Sequence, residues 1–416
     1  MADINQTILV IGYVWPEPNS SAAGSHMLSL IRLFKRQNWR VVFATPAQKT
    51  EHMANLAREG IESVEIQLNN SSFDVFIQQL SPNYVLFDRF MMEEQFAWRV
   101  EQACPQALRI LDTEDLQSLR AAREKAHKQQ RPVSQSDLGE DLAKREIAAI
   151  LRCDLSLIIS DYELDLLTGF YKIDSSILHH LPFMLDLQER TEPLIPFDKR
   201  NHFITIGNFR HAPNWDSVLY LQQIWPLIRK EIPNAELHIY GSYPAKKATQ
   251  LNNPKNGFLV KGWAENAFQV LANSKVCLAP LRFGAGIKGK LIDAMQVGTP
   301  SVTTNIGAEG MCGDFPWPGL IANDPQSFAD AAVKLYCEAD CWLASQNNIK
   351  PLLADRYDGK KLGCTLIEKI QSIKNNLTEH RQNNFIGSML RHHSLKSTLY
   401  MSKWIEAKTK LNCESK

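Results

Sequence analysis

Residues 278–310 read LAPLRFGAGIKGKLIDAMQVGTPSVTTNIGAEG, and their pattern is the clearest indication of the fold of the chain. The pattern predicts a short apolar strand, a loop with glycines at 284 and 286, a helix, a second strand and a second loop that ends at Gly310. A strand, a helix and a second strand in this order form a βαβ unit. The glycine-rich turn before its helix is suited to holding phosphate.

The composition of this turn favours an anionic ligand. Gly284 and Gly286 allow positive φ angles and let a ligand approach the backbone amides, while the following helix directs its free N–H groups to the same place. Lys288 and Lys290 add positive charge in the first helical turn, where the helix dipole disfavours a cation. A bound diphosphate explains them better than solvation, although a plain glycine-rich turn with surface lysines is the alternative. Asp293 could accept hydrogen bonds from the two hydroxyls of a ribose, or could simply be solvated.

The composition of the whole chain indicates an ordinary globular protein with room for two domains. It has 416 residues, 44% hydrophobic and 22% charged, and its formal net charge of +1 gives no general attraction to nucleic acid. The first residues lack a signal-peptide pattern and no run of about 18 apolar residues occurs, so we expect a cytoplasmic location. Eight cysteines without a CxxC pair predict mostly buried thiols in a reducing compartment. Cys337 and Cys341 share a helix face but are too few ligands for zinc, and we expect no metal site.

The N-terminal part begins a βαβ unit of its own. A strand at 8–11 is followed by a long loop, a helix predicted over 27–37 and a strand at 40–44. Because the loop lacks GxGxxG, a nicotinamide dinucleotide site is not expected. The small residues from Ser20 to Gly24 instead allow a ligand to approach closely at the mouth of the sheet.

Acidic residues follow the next two strands. The strand at 84–87 leads to Asp88, and the strand at 108–111 leads to Asp112, Glu114 and Asp115. Ligands of open α/β sheets bind beyond the carboxyl ends of the strands, so these acids are candidates for a site. Helix capping is an equally good explanation for any single one of them.

The remainder of the first half contains less chemistry. Residues 124–141 are polar and are predicted to be a mobile segment broken by Pro132. A helix is predicted over 140–152 and a strand over 155–159. Neighbours in sequence point apart on a strand, so His179 and His180 are interpreted as part of a connection and not as metal ligands.

A second α/β domain follows a proline-rich connection. Its predicted strands at 202–206, 236–240, 258–260 and 275–278 each lead to a glycine-containing loop and then to helical sequence. This alternation predicts a doubly wound parallel sheet with its loops on one edge. After residue 324 the pattern is helical to about 375.

The last helix, after a polar break at 376–384, has a partly apolar stripe and basic residues on its other faces. The stripe comprises Ile386, Leu390, His393, Ser397, Tyr400 or Met401, and Trp404. A basic amphipathic helix is typical of segments that lie on anionic membranes. Packing across both domains is the preferred interpretation.

Several of these segments resemble the GT-B glycosyltransferases, and among them the retaining family 4, the glycosyl transferases group 1. The resemblance rests on GNFRHAPN at 207–214, IYGS at 239–242, KGW at 261–263, the block 284–304 and GAEG at 307–310. It covers the whole second domain in the right order and is looser in the first.

The resemblance implies an α/β protein of two Rossmann-like, doubly wound domains that face each other across a cleft. We accordingly divide the chain into an acceptor-side domain (1–187), a linker (188–200), a nucleotide-sugar domain (201–376) and a helical segment that crosses back over the domains (377–416). Such enzymes typically need no metal or other cofactor, because basic side chains and a helix N-terminus neutralise the leaving diphosphate.

The resemblance also implies roles for individual residues. The catalytic candidates are Lys288, Arg210, Asp112 and Asp88. The candidates for binding the donor are Asn208, Gly241, Ser242, Trp263, Gly284, Ala285, Gly286, Ile287, Asp293 and Glu309. On the acceptor side the candidates are Gly24 and Asp115. Lys288 and Arg210 would neutralise the diphosphate, and Asp293 matches the acid that holds the ribose hydroxyls.

The chain departs from the family's paired-glutamate motif at one position. The first acid should lie eight residues before the second, but that position is Ala285 and the second acid is the shorter Asp293. Contacts to the donor sugar must then come from elsewhere, with Glu309 or the amides of residues 284–287 as candidates.

The expected activity is transfer of a sugar from a nucleoside-diphosphate sugar to a hydroxyl acceptor, with retention at the anomeric carbon. The acceptor would be a glycan, a lipid-linked sugar or another hydroxyl compound, as in the synthesis of surface polysaccharides, with peripheral membrane contact left open. Two alternatives remain: a nucleotide-sugar epimerase of the same fold, and a nucleotide-sugar-binding protein whose active site has decayed.

Overall fold

The computed structural model describes residues 6–187, 193–244 and 246–414, with the backbone alone for 394–396, 413 and 414. Residues 188–192, which begin the predicted linker, lie outside these ranges. The described chain builds two parallel sheets, each covered by helices.

The first sheet has seven strands in the order β3-β2-β1-β4-β5-β6-β7, all parallel. The strands are β1 Thr7–Ile11, β2 Arg40–Thr45, β3 Glu62–Glu65, β4 Tyr84–Asp88, β5 Leu108–Asp112, β6 Leu155–Ile158 and β7 Leu178–His180. The helices between them are α1 Ala22–Arg36, α2 Ser72–Leu80, α3 Phe90–Ala103, α4 Gln117–Lys128, α5 Gln135–Leu138, α6 Asp141–Arg152 and α7 Asp161–Gly169. The central strands are continuous apolar runs because helices bury both faces of the sheet.

The second sheet has six parallel strands in the order β10-β9-β8-β11-β12-β13. The strands are β8 Asn201–Ile206, β9 Leu237–Tyr240, β10 Phe258–Gly262, β11 Ser274–Ala279, β12 Ser301–Thr303 and β13 Gly319–Ile321. Its helices are α8 Ala212–Glu231, α9 Lys246–Thr249, α10 Ala267–Asn273, α11 Gly289–Gln296, α12 Asn305–Ala308, α13 Pro325–Cys337, α14 Ala339–Asn347 and α15 Ile349–Arg356.

Three further helices return the chain to the first domain. They are α16 Gly359–Asn375, α17 Leu377–Asn383 and α18 Phe385–Glu414. Leu366 and Ile370 of α16 are fully buried in the same cluster as strands of the first sheet. The return therefore begins near Gly359, within the segment that the sequence assigned to the second domain. Helix α18 packs on α3 and α6 of the first domain.

Several local features differ from the sequence predictions. Helix α1 begins at Ala22, five residues early, because the Ser21 hydroxyl caps it by accepting a hydrogen bond from the Gly24 amide. The segment predicted to be mobile is partly helical, since α4 runs on to Lys128 and α5 begins with a capping box between Ser134 and Asp137. His179 and His180 lie on the edge strand β7.

No helix of the described residues is long and apolar enough to cross a membrane. The cysteines at 104, 153, 277, 312, 337, 341 and 364 are free thiols. The side chain of Cys413 lies outside the described part of the chain.

Candidate active site between the two domains

The loop between β11 and α11, residues 280–288, here called the donor loop, lies against the first domain. Gly284 and Gly286 have φ angles of +154° and +61°, which only glycine adopts readily. A Cβ atom on Gly286 would lie 2.9 Å from the Cβ of Asp115, across the interface. Glycine at 286 therefore serves both the turn and the close approach of the two domains.

Lys288 is held inside this loop. Its side chain is buried, and its ammonium donates hydrogen bonds to the carbonyl oxygens of Gly286 (2.6 Å) and Ala285 (3.4 Å). Burial lowers the pKa of Lys288 to about 8, and burial lowers the pKa of Lys290 to a similar value. Burial makes the charged form of this ammonium unfavourable, and an anion bound beside it would stabilise that form.

Two first-domain side chains hold the donor loop. Glu163 of α7 accepts a hydrogen bond from the Gly286 amide (2.8 Å), and burial raises its pKa to about 8. Arg123 of α4 donates to the Gly284 carbonyl (2.9 Å) and grips Glu309 with two hydrogen bonds of 2.6 and 2.9 Å. The sequence did not mark either side chain as part of the site. Glu163 does follow β6, a third strand end, which was an available signal.

Ala285 and Glu309 are the two positions that bear on the acid missing from the family's motif. The Ala285 side chain is buried against the core of the first domain, so no polar group projects from this position. Glu309, a candidate for the missing role, is paired with Arg123. The donor loop thus carries an acid at its border, but that acid is already neutralised by the first domain.

Asp293 and Ile287 lie on either side of the start of α11. Asp293 is half-buried, and burial raises its pKa to about 7. Ile287 packs into an apolar cluster that contains Ile159 and Phe183 of the first domain. Of the two, Asp293 has the chemistry to hold hydroxyl groups, whereas Ile287 joins the domains by packing.

Arg210 and Asn208 occupy the loop after β8. The Asn208 side-chain oxygen accepts a hydrogen bond from the Arg210 amide (2.8 Å), which shapes the loop. Arg210 is exposed, and its guanidinium lies over the ring of Tyr243, 3.7 Å from the centroid. The guanidinium is thereby positioned by a cation–π contact and keeps its hydrogen-bonding edge available to a ligand.

The loops after β9 and β10 contact two loops of the first domain, those after β1 and β2. Ser242 accepts a hydrogen bond from the Ser20 hydroxyl (3.0 Å), and the Tyr243 hydroxyl donates to Glu17 (3.1 Å). His52 stacks on Trp263 with ring centroids 4.0 Å apart and planes within 6°. His52, which was not among the candidates from the sequence, therefore covers one face of the Trp263 ring.

Two of the candidate glycines serve backbone packing. A Cβ atom on Gly241 would lie 2.1 Å from the Gly207 carbonyl oxygen. A Cβ on Gly24 would lie 2.5 Å from the backbone of Glu17, since Gly24 is in the first turns of α1 and not in the loop. The small size of both residues is thus explained by their protein neighbours.

The first-domain acids fall into a buried group and an interface residue. Asp88 and Asp112 are register partners at the ends of β4 and β5, and both are buried. Burial, with Asp88 adding to it, raises the pKa of Asp112 to about 7, and burial raises that of Glu114 to about 8. His26 of α1, also unmarked by the sequence, has its Nε2 atom 3.7 Å from an Asp112 oxygen.

Asp115 behaves differently from these acids. Burial acts to raise its pKa, but Arg120, with which it forms an ion pair, and His211 outweigh this effect and hold the pKa below its usual value. Asp115 therefore carries a negative charge next to the donor loop, whereas burial favours the protonated forms of Asp112 and Glu114.

Comparison with known proteins agrees with this two-domain arrangement. Residues 200–338 match the family model described as glycosyl transferases group 1, a range that contains the second sheet and the donor loop. An uncharacterized 44.6 kDa protein in the cps region of Klebsiella pneumoniae is 26% identical over 182 residues. The match covers 42% of this chain and 47% of that protein, so the similarity spans about half the length of the relative.

Solved structures resemble the chain over nearly its whole length. A mutant of TarM from S. aureus, in complex with fondaparinux, alpha-GlcNAc-glycerol and UDP, has a TM-score of 0.67 at 10% identity; the match covers 89% of this chain and 100% of that one. HepE of Anabaena, in complex with UDP and glucose, has a TM-score of 0.65 at 14% identity, with 88% and 100% covered. The chain therefore has the GT-B fold, and the stretch that matches the glycosyl transferases group 1 model lies in its second domain.

Proposed function

We propose that this protein is a glycosyltransferase that moves a sugar from a nucleoside-diphosphate sugar to a hydroxyl group of a glycan or lipid-linked acceptor. The observation that carries the proposal is Lys288, a buried ammonium held in a glycine loop at the N-terminus of α11. Burial lowers the pKa of Lys288, so its charged form is unfavourable by itself and would be stabilised by a diphosphate bound beside it.

The proposed reaction retains the configuration of the anomeric carbon. The bond between that carbon and the diphosphate oxygen breaks, the acceptor oxygen bonds to the same face, and the acceptor proton passes to the departing diphosphate. Lys288, the donor-loop amides and Arg210 stabilise the negative charge that develops on the leaving group. These cations take over the role that a metal ion has in other transferases, and we propose that no metal is required.

Other residues bind and orient the substrates in this proposal. Asp293 accepts hydrogen bonds from the ribose, and Trp263 with the backbone of Gly241 and Ser242 borders the base. On the acceptor side, Asp115 orients the acceptor hydroxyl, with Asp88 and Asp112 behind it.

The comparisons support the substrate class by analogy. TarM and HepE were both crystallised with UDP, and TarM also with glycan ligands. The Klebsiella pneumoniae relative is described as a protein of a cps region. A uridine nucleotide donor and a role in polysaccharide synthesis are therefore the first possibilities to test.

The decisive experiment incubates the purified protein with nucleoside-diphosphate sugars and a panel of glycan and lipid-linked acceptors. We expect a product whose anomeric configuration, read by NMR, matches that of the donor, and activity that persists in EDTA. Lys288→Ala should abolish transfer, whereas Lys350→Ala, at an exposed lysine of the same domain, should not. Normal transfer by Lys288→Ala would contradict the assignment.

The same assay separates the alternatives. An isomerised nucleotide sugar without an acceptor would identify an epimerase. Nucleotide binding, read as a raised Tm, without turnover on any acceptor would identify a binding protein.

A further inference from the structure

Helix α18 exposes a row of large apolar side chains along its outer surface. Relative exposures are 74% for Phe385, 55% for Ile386, 46% for Met389, 68% for Tyr400, 58% for Met401, 57% for Trp404 and 65% for Leu411. From Phe385 to Leu411 the row extends about 39 Å at 1.5 Å per residue. We call these seven residues the outer face of α18. An exposed apolar surface of this length marks an interaction site.

The opposite side of α18 is firmly seated on the first domain. A Cβ atom on Gly387 would lie 2.0 Å from the Leu151 carbonyl oxygen, so the backbones touch there. The Ser402 hydroxyl is buried and accepts a hydrogen bond from Arg99 (3.3 Å). Farther along, Glu406 accepts hydrogen bonds from the Ser71 hydroxyl (2.7 Å) and amide (3.3 Å). These contacts fix the rotation of the helix about its axis, so the outer face cannot turn towards the first domain and become buried there.

The charge of α18 indicates what covers the outer face. The helix contains five lysine or arginine residues against two glutamates, whereas the whole chain has a formal net charge of only +1. Lys403 and Lys408 are exposed beside the apolar row, and Lys408 lies over the Trp404 ring. Aromatic and apolar residues flanked by lysines are the pattern of helices that lie in the interface of an anionic membrane.

We propose that the outer face of α18 binds the surface of a membrane rich in anionic lipids. The apolar row enters the boundary between headgroups and acyl chains, and the lysines pair with lipid phosphates. A second copy of this chain fits less well, because a twofold contact of this face with itself would bring the lysines of the two copies together. Since α18 is fixed to α3 and α6, the bound protein would hold its first domain next to the membrane.

The test is flotation of the full chain with vesicles, which requires neither a donor sugar nor turnover and so is independent of the proposed function. We expect binding to vesicles of phosphatidylglycerol and phosphatidylethanolamine, weaker binding at 1 M salt, where screening is about threefold shorter in range than at 0.1 M, and little binding to phosphatidylcholine alone. Tyr400→Ser with Trp404→Ser should lower the bound-to-free ratio about tenfold or more, because affinity follows the buried apolar area.

Matched control variants distinguish binding by the outer face of α18 from nonspecific binding of the protein to vesicles. Leu343→Ser, at an exposed apolar residue of α14 in the second domain, should leave binding unchanged. Lys403→Glu with Lys408→Glu should weaken binding to anionic vesicles, whereas Lys334→Glu with Lys350→Glu should not. An unchanged Tm would show that the variants are folded.

Three outcomes would overturn the proposal. The first is no binding to anionic vesicles by the wild-type chain, and the second is binding that the Tyr400 and Trp404 substitutions leave intact. The third is concentration-dependent dimerisation in solution that the same substitutions abolish, since the outer face would then be a contact between copies of the chain.

Discussion

Replacing Lys288 with methionine should strongly lower activity and remove one pH-dependent contribution to the stability of the protein. The lysine ammonium is buried, and its hydrogen bonds go to the carbonyl oxygens of Gly286 and Ala285. Methionine keeps most of the side-chain volume and removes the charge. The substitution therefore isolates the electrostatic role of this position.

The magnitude follows from the pKa of Lys288, about 8 in the folded protein against an ordinary 10.5. Between pH 8 and pH 10.5 the lysine is largely deprotonated in the folded protein but still protonated in the unfolded chain. The free energy of unfolding without a ligand therefore increases as the pH rises from 8 towards 10.5. Between pH 7 and pH 10 this gain is about 2.5 kcal/mol for one group, from 1.36 kcal/mol per pKa unit. The methionine variant lacks this gain in stability because it has no ammonium to titrate. Losing one charge-stabilising donor should also lower kcat by about 100- to 1,000-fold.

The assay compares unfolding of the wild type and Lys288→Met at pH 7 and pH 10, with and without UDP. Without UDP, we expect the free energy of unfolding of the wild type, relative to that of the variant, to increase by about 2.5 kcal/mol from pH 7 to pH 10, because only the wild type has this lysine to titrate. UDP should shrink the gain, because a bound diphosphate keeps the ammonium protonated. Lys350→Met, at an exposed lysine, should behave as the wild type. A pH-independent difference between wild type and variant, or normal turnover by Lys288→Met, would refute the reasoning.

Four further substitutions test the rest of the site. Asp293→Ala should raise the KM for the donor at least tenfold with a smaller change in kcat, as expected for the loss of charged hydrogen bonds. The pKa of Asp293 is about 7, so the KM of the wild type should also rise as the pH falls below 7 and the carboxylate is protonated. Arg123→Ala should separate the domains, seen as a larger radius of gyration by X-ray scattering, and Glu309→Gln should do so less strongly because a neutral hydrogen bond remains. Gly286→Ala should cost at least about 1 kcal/mol of stability and lower Tm, since the φ angle of Gly286 is +61°. The control is Gly139→Ala, which should leave Tm unchanged. Gly139 has a φ angle of −101°, and the nearest atom to a Cβ there would be 3.7 Å away.

The features that sequence predicted well are local ones. The donor loop and the central strands followed from glycine conformation, helix polarity and continuous apolar runs, which act over a few residues. The edge strands β3 and β13 escaped prediction because Glu62–Glu65 and Gly319–Ile321 are short and have little apolar pattern. The early start of α1 was missed because Ala22 to Ser25 are small residues typical of loops, although Ser21 was a capping signal.

The features that sequence could not predict are contacts between distant parts of the chain. Arg123 grips Glu309 across 186 residues, and Glu163 holds the Gly286 amide across 123. No spacing in the sequence connects such pairs; the parallel sheets do, because they bring all their loops to facing edges.

Helix α18 shows the same division. Its sequence determined which residues share a stripe, since a period of 3.6 fixes their relative directions. The direction in which the stripe faces depends on what the other side of the helix contacts. Gly387, Ser402 and Glu406 seat that side on the first domain, and this leaves Tyr400 and Trp404 exposed instead of packed.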